Sequence, residues 1–518
     1  FGSSLWFKTI LLRVGVVLSL GMPSLDYSRF DGLDASDSEE DERPRAVHGE
    51  SAAGCELLAE LPPDLPPDLS LVLAASHGQQ HIVEALLQSR ASANAQDPRG
   101  NESALLRALA GGVGNRPTIE LLLKHRAAVD LPSSSGETPI GRAAASGPPV
   151  LLQALLEAGG GASPAALGTA LTAATAAGGA SATRLLLGAR APVSARAEDG
   201  ATPLHHLAAR DDGLLLRELL SHRADVAARD GDGATPLARA AAAGQAISTQ
   251  ILYDAGGQLL DDAAGDGRTA LVRASEVKDQ ERAVATVTAL LEARASLSTG
   301  APVPPRSGAR VPPLSPLVAA ACSGHLAVSV LLMGARADVD APDAAGRLAL
   351  PCAAMVGQHD LCRELLRSSA GVDSRGASGQ AADSKPAAEG GGATALSVAA
   401  ARGDAPLAEL LLGARADTES VDERGLTPLM AASRGGHSEL CTVLLAAGAR
   451  ANAQEASSGK TPLVFAASAG HAPLCRALLA ARADAATAAA TGAAALHAAA
   501  ANGHGEACEA LLAAGAPA

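Results

Sequence analysis

Thr461-Pro462-Leu463-Val464-Phe465-Ala466-Ala467-Ser468-Ala469-Gly470-His471 reads as a helix start, a short apolar helix and a turn. The Thr461 hydroxyl can accept from free N–H groups of the first turn, and Pro462 takes the first helical position, where no donor is lost. The small pair Ala466-Ala467 lets a following helix approach closely, and Gly470 turns the chain. A second helix follows with apolar residues at helical spacing, seen most plainly in Ile82, Val83, Leu86 and Leu87 of an earlier copy.

The same text returns as Thr138-Pro139-Ile140, Thr202-Pro203-Leu204-His205, Thr235-Pro236-Leu237 and Thr427-Pro428-Leu429. Each stands 18 residues before the apolar residue that closes its unit. Those closing residues are Leu87, Leu123, Leu156, Leu187, Leu220, Tyr253, Leu291, Met333, Leu366, Leu412, Leu445, Leu479 and Leu512, and six of the twelve intervals are 33 residues. Such a period marks a repeat array. The module resembles the ankyrin repeat, and the resemblance covers roughly residues 64–518. It implies an all-α solenoid of stacked helix-turn-helix units with hairpin fingers. One helix pair cannot bury its own apolar face, so each unit depends on its neighbours.

In ankyrin-repeat proteins, partners dock in the concave groove formed by finger tips and first-helix surfaces. The resemblance places Ser76, His77, Arg210, Asp211, Cys322, Ser323, Met355, Val356, Ala401, Arg402, Arg434, Gly435, Ser468, Ala469, Ala501 and Asn502 on that groove. Many of these are small, so affinity is expected from several repeats engaged together. Rigid presentation would lower the ordering cost.

Composition agrees. Five of the seven aromatic residues (Phe1, Trp6, Phe7, Tyr27, Phe30) precede residue 31, so the array must pack on Ala and Leu. A chain of 518 residues would ordinarily divide into globular domains, but a repeat array needs no such division. Two insertions, near 300–313 and 374–392, fall where ankyrin repeats carry their fingers. They read as loops the stack tolerates. Projections toward a partner, or hinges between sub-arrays 64–299, 314–373 and 393–518, are the other readings.

Residues 1–63 differ in kind and read as a disordered segment, acidic over 31–42, with Met22 as a candidate true start. The apolar stretch from Leu5 to Leu20 is broken by Lys8 and Arg13, which leaves only Val14 to Met22, short of the ~20 residues a membrane span requires. No small-x-small cleavage site is evident, so secretion is not the reading. Tyr27-Ser28, Phe30-Asp31 and Ser36 in its acidic run resemble the extreme N-terminus of kinase-targeting heat-shock co-chaperones, with Phe30 in place of the usual Trp. That resemblance implies recruitment of a heat-shock chaperone or an acidophilic kinase through Tyr27 to Glu42. Independently, Ser36 and Ser38 each have an acidic residue three positions on, Glu39 and Asp41, a spacing that suits phosphorylation by a kinase with a basic groove.

Other chemistry finds little footing. Cys362, Cys441, Cys475 and Cys508 share one second-helix position, where buried small residues are expected; equivalent positions in adjacent repeats are too far apart for a disulfide. Unpaired thiols and an odd count of 7 point to a reducing compartment, the cytoplasm or the nucleus. His325, His437, His471 and His504 follow the turn Gly, and His205 and His497 fall on the His of Thr-Pro-Leu-His. The ankyrin resemblance assigns these to ties between loops and neighbouring repeats. His77 and His81 have the spacing of a zinc helix, but Gly78 puts a turn between them. Gly459-Lys460-Thr461 lacks the earlier Gly of a phosphate loop, since Gln454 stands there. No catalytic residues, metal or cofactor are expected.

One departure from the ankyrin pattern recurs. Where the second helix usually closes with Gly, eight units have Arg: Arg90, Arg126, Arg190, Arg223, Arg294, Arg336, Arg415 and Arg482. A left-handed backbone at such a residue costs about 1 kcal/mol relative to Gly. Asp225, Asp338, Asp417 and Asp484 stand two residues after four of them, which predicts a solvated, locally neutralised edge; a basic strip for anionic partners is the alternative. Net charge of −14 and few aromatics argue against nucleic acid. The sequence therefore points to a non-catalytic, monomeric scaffold or adaptor that binds other proteins. Two further readings are the recognition region of a larger kinase or ubiquitin ligase, and a chaperone-linked adaptor.

Overall fold

The computed structural model describes residues 66–158, 162–256, 259–297, 315–343, 345–375, 392–487, 489 and 494–516. Tyr27 to Glu42, with Ser36 and Ser38, lies outside the described residues, as does most of both insertions. Residues 71–518 form one compact unit.

Among the described residues the helices come in pairs. In chain order they are α1 (Pro67–Ser76) with α2 (Gln80–Gln88), α3 (Ala104–Ala110) with α4 (Arg116–Lys124), α5 (Pro139–Ser146) with α6 (Pro149–Ala158), and α7 (Pro164–Ala177) with α8 (Ala180–Gly188). Next come α9 (Pro203–Ala208) with α10 (Gly213–Ser221), α11 (Pro236–Ala242) with α12 (Ala246–Gly256), α13 (Ala270–Ser275) with α14 (Gln280–Glu292), and α15 (Pro316–Ser323) with α16 (Leu326–Gly334). The last five are α17 (Ala349–Val356) with α18 (His359–Arg367), α19 (Ala395–Arg402) with α20 (Ala405–Gly413), α21 (Pro428–Gly435) with α22 (Ser438–Ala446), α23 (Pro462–Ser468) with α24 (Ala472–Ala480), and α25 (Ala495–Ala501) with α26 (Gly505–Ala513). Odd-numbered helices pack on odd-numbered neighbours and even on even, which is the stacking the period demands. The sole β-bridge among the described residues joins Gln96 and Ser103 in a finger.

The first helices start where the caps predict. Thr138 accepts from Gly141 N at 3.1 Å, Thr235 from Ala238 N at 3.3 Å, and Thr427 from Met430 N at 3.4 Å. Thr202 and His205 form a capping box. Two of the fingers are then folded by an Asp at the base: Asp230 Oδ1 accepts from Asp232 N and Ala234 N, and Asp422 Oδ1 from Arg424 N and Leu426 N. Such Asx turns satisfy backbone donors without a strand ladder.

The core is thin and small. Fully buried leucines such as Leu105, Leu186, Leu411, Leu444 and Leu478 alternate with buried Ala pairs, among them Ala399-Ala400 and Ala466-Ala467. Adjacent fingers are joined through the backbone, by Gly231 N to Asp199 O at 2.8 Å and Gly265 N to Asp232 O at 2.9 Å. The stack continues across both insertions. Val272 packs on Ala319 across the first. Across the second, His359 Nε2 lies 2.7 Å from Asp404 Oδ2 and Asp417 N donates to Asp373 at 2.9 Å.

All eight closing arginines are left-handed, with φ from 58° at Arg126 to 73° at Arg90. All are exposed, and none forms an ion pair among the described residues. The aspartates that follow serve the backbone: Asp225, Asp338, Asp417 and Asp484 each accept the N–H two residues on.

Candidate functional site

The residues assigned to a groove all stand at or just after the C-terminal ends of odd-numbered helices. Ser76, Cys322, Met355 and Ser468 are half-buried. His77, Arg210, Asp211, Ser323, Val356, Ala401, Arg402, Arg434, Gly435, Ala469, Ala501 and Asn502 are exposed. Because the odd helices pack on one another, these positions form a row that is unbroken from α15 to α25, with earlier members at α1 and α9.

Three of these side chains are occupied within the stack. Arg210 Nη1 donates to the carbonyl of Ala176 at 3.0 Å, Arg402 Nη1 to Met355 at 2.5 Å, and Asn502 Nδ2 to Ser468 at 2.9 Å. Each reaches back to the last turn of the preceding first helix, where free carbonyls carry the negative end of the helix dipole. Ser76 and Ser468 return to carbonyls of their own helices. His77, Asp211, Ser323 and Arg434 make no side-chain hydrogen bond among the described residues, so their polar atoms face outward unengaged.

A second row was legible in the sequence but not read from it. Four residues after each cap stand Arg107, Arg142, His206, Arg239 and Arg273 in the earlier repeats, apart from Leu167, and then Ala319, Cys352, Val398, Ala431, Phe465 and Ala498 in the later ones. The basic members face finger carboxylates: Arg107 with Asp97 at 3.0 Å, Arg239 with Asp230 at 2.5 Å and Arg273 with Asp266 at 2.9 Å. Arg142 bonds Glu137, whose carboxyl it holds below the usual range. His206, Arg210, Arg239 and Asp199 line a shallow cleft. Burial lowers the His206 pKa, and its Nε2 has no hydrogen-bond partner. From Ala319 to Phe465 the position is apolar and buried, and Leu426, Met430 and Phe465 make their own small cluster there, with Lys460 5.7 Å from the Phe465 ring.

The histidines divide. His205 ties its cap to Ala234 of the next finger. His437 and His471 sit on the turn glycines of the preceding repeat, where a Cβ at Gly403 or Gly436 would lie 2.3 Å or 2.5 Å from the ring. His504 does the same at Gly470 and reaches Ser468 O at 3.2 Å. His325 is buried with Nε2 unpartnered. His497, expected to act as His205 does, is exposed and makes no side-chain hydrogen bond among the described residues. Cys362, Cys441 and Cys475 are buried as expected, and burial pushes them up to about 12, 11 and 11. Cys508 departs from them in being half-buried, with no helix after α26 among the described residues to cover it. No group of three metal-binding side chains occurs among the described residues. No described helix is long and apolar enough to cross a membrane.

Helix pairs that stack in register and are joined finger to finger define a helical repeat protein. Models of the ankyrin repeat match residues 71–166, 199–231, 378–455 and 448–517, about half of the chain. The chain belongs to the ankyrin-repeat family, whose repeats form a protein-binding module. A comparison with curated proteins gave no match.

Proposed function

We propose that the protein is a non-catalytic scaffold or adaptor that holds a partner protein along the ends of its odd-numbered helices. The observation that carries this is the row itself: every candidate is exposed or half-buried, two in each of eight repeats, on a backbone fixed by its neighbours. We place the contact energy on His77, Asp211, Ser323 and Arg434, whose polar groups are unengaged, and on the exposed Val356. Arg210, Arg402 and Asn502 act instead as staples that shape the surface. A cytoplasmic or nuclear monomer fits the free thiols.

Quantitative affinity purification with residues 22–518, residues 64–518, and 64–518 carrying His77→Ala, Asp211→Ala, Ser323→Ala and Arg434→Ala tests this. Partners kept by the shorter wild-type bait and lost by the variant support the row as the docking face. Partners kept by the variant remove it. Partners lost with residues 22–63 would move recognition to the Tyr27 to Glu42 segment, where a heat-shock chaperone or an acidophilic kinase acting on Ser36 or Ser38 is the predicted partner.

A further inference from the structure

The turn that closes each second helix is held by backbone alone. Arg90 N donates to Leu87 O at 3.3 Å, Arg126 N to Leu123 O at 2.9 Å and Arg190 N to Leu187 O at 3.0 Å. In each case the next N–H reaches further back, Ala91 to Leu86, Ala127 to Leu122 and Ala191 to Leu186, each at 3.0 Å. Gly448 closes the same turn after α22, donating to Leu445 O at 3.0 Å, so the turn does not depend on a guanidinium. The arginines hold it with a left-handed backbone, at φ 73°, 58° and 59°, which glycine takes without strain. Strain of this kind gathers where a side chain serves a ligand.

Charge sets three of the eight apart. An Asp stands two residues after Arg223, Arg336, Arg415 and Arg482, and Glu292 stands two before Arg294, so each of these has a carboxylate close by in the chain. Arg90, Arg126 and Arg190 are followed at that distance by Ser92, Ala128 and Pro192. Lys124, exposed at the end of α4, adds a fourth cation. Among the described residues none of the four makes a side-chain hydrogen bond or an ion pair. On the last turns of α2, α4, α6 and α8 the sole carboxylate is Glu157, which accepts from Gln153 Nε2 at 2.8 Å. These helices pack in succession, α2 on α4, α4 on α6 and α6 on α8, so the cations stand along one edge of the stack, at the far end of each helix pair from the row of His77 and Arg210.

We propose that Arg90, Lys124, Arg126 and Arg190 form a second docking edge, separate from the row of odd-helix ends, for an acidic, extended segment of a partner protein. The cations supply the complementarity, and none has to be freed from an internal partner before it engages. Spacing adds register. Neighbouring packed helices lie about 8–10 Å apart. In a polyproline II segment every third side chain faces the same way, about 9 Å on, so one residue in three meets successive repeats. The places at α2, α4 and α8 call for a carboxylate, and the place at α6, where Glu157 stands, calls for a neutral residue. No aromatic residue stands on these last turns for a base to stack on, which favours protein over nucleic acid.

The test titrates the full chain into a fluorescein-labelled peptide, Glu-Pro-Pro-Glu-Pro-Pro-Gln-Pro-Pro-Glu, and reads its anisotropy. Binding should weaken severalfold as salt is raised from ~0.05 M to ~0.5 M. Arg90→Gly, Arg126→Gly and Arg190→Gly together should weaken it about tenfold. Because glycine relieves the backbone at all three positions, that loss cannot come from unfolding. Arg90→Lys, Arg126→Lys and Arg190→Lys together keep the charge and should keep the binding. Arg424→Gln, Arg450→Gln and Arg476→Gln remove the same charge elsewhere on the surface and should change affinity less than about twofold. No binding at the lower salt, an equal loss in the glycine and glutamine variants, or equal affinity for a peptide of the same composition with its Glu residues grouped at one end would overturn the proposal. Tighter binding of a single-stranded oligonucleotide, lost in the same glycine variant, would overturn the assignment to a protein partner.

Discussion

His205 Nε2 lies 3.0 Å from the carbonyl oxygen of Ala234, in the finger of the next repeat, while its Nδ1 lies 3.1 Å from Thr202 N. One neutral ring thus caps its own helix and fastens the following unit, accepting at Nδ1 and donating at Nε2. Burial keeps the His205 and His206 pKa values below the ordinary 6.5. The unfolded chain therefore binds more protons than the folded one just below that pH, and stability rises with pH. Stability should be full above pH 6.5 and decline as pH falls below it. Thermal melts from pH 7 to pH 5 check this; a flatter profile is expected for His205→Gln, and one as steep as wild type would refute the assignment.

Arg415→Gly and Arg482→Gly should each stabilise the array by about 0.5–1 kcal/mol. Both residues are left-handed, at φ 66° and 65°, and neither exposed side chain makes an ion pair among the described residues. Relief of the backbone then outweighs the greater freedom of glycine in the unfolded chain. Urea titrations of the single and double variants measure the gain, which should add because the sites are distant.

Asp230→Ala should cost more than Asp422→Ala. Both fold a finger, but Asp230, whose side chain is fully buried, also takes 2.5 Å from Arg239 Nε. Burial would raise its pKa; the Arg239 and Ala234 hydrogen bonds override that and lower it. Two orphaned backbone donors make ~1–3 kcal/mol the expected loss, with the ion pair discounted because Arg239 is partly exposed. Its pH signature is a decline in stability through the acid carboxylate range.

Cys475→Thr should change stability by less than about 0.5 kcal/mol, whereas Cys475→Leu should cost about 1–3 kcal/mol by overpacking. Earlier repeats already place Thr183 and Thr249 at this position, each bonding the carbonyl four residues back, at 2.9 Å and 2.7 Å. Denaturation midpoints of the two variants settle the difference.

What the sequence disclosed was local. Thr138, Thr235 and Thr427 announce helices because cap, proline and first turn lie within four residues, and Arg90 to Arg482 announce their backbone because the closing turn recurs in register. Arg210 and Asn502 were placed at the right height but not recognised as staples, since their acceptors Ala176 and Ser468 belong to the preceding unit.

The succession Arg107, Arg142, His206, Arg239, Arg273, then Ala319, Cys352, Val398, Ala431, Phe465, changes what braces one unit from the next. The arginines of the first group clasp finger carboxylates, whereas the second group is buried. Added salt would slacken the early braces and leave the later ones tight. The array has a heading, written in its joints rather than on its face.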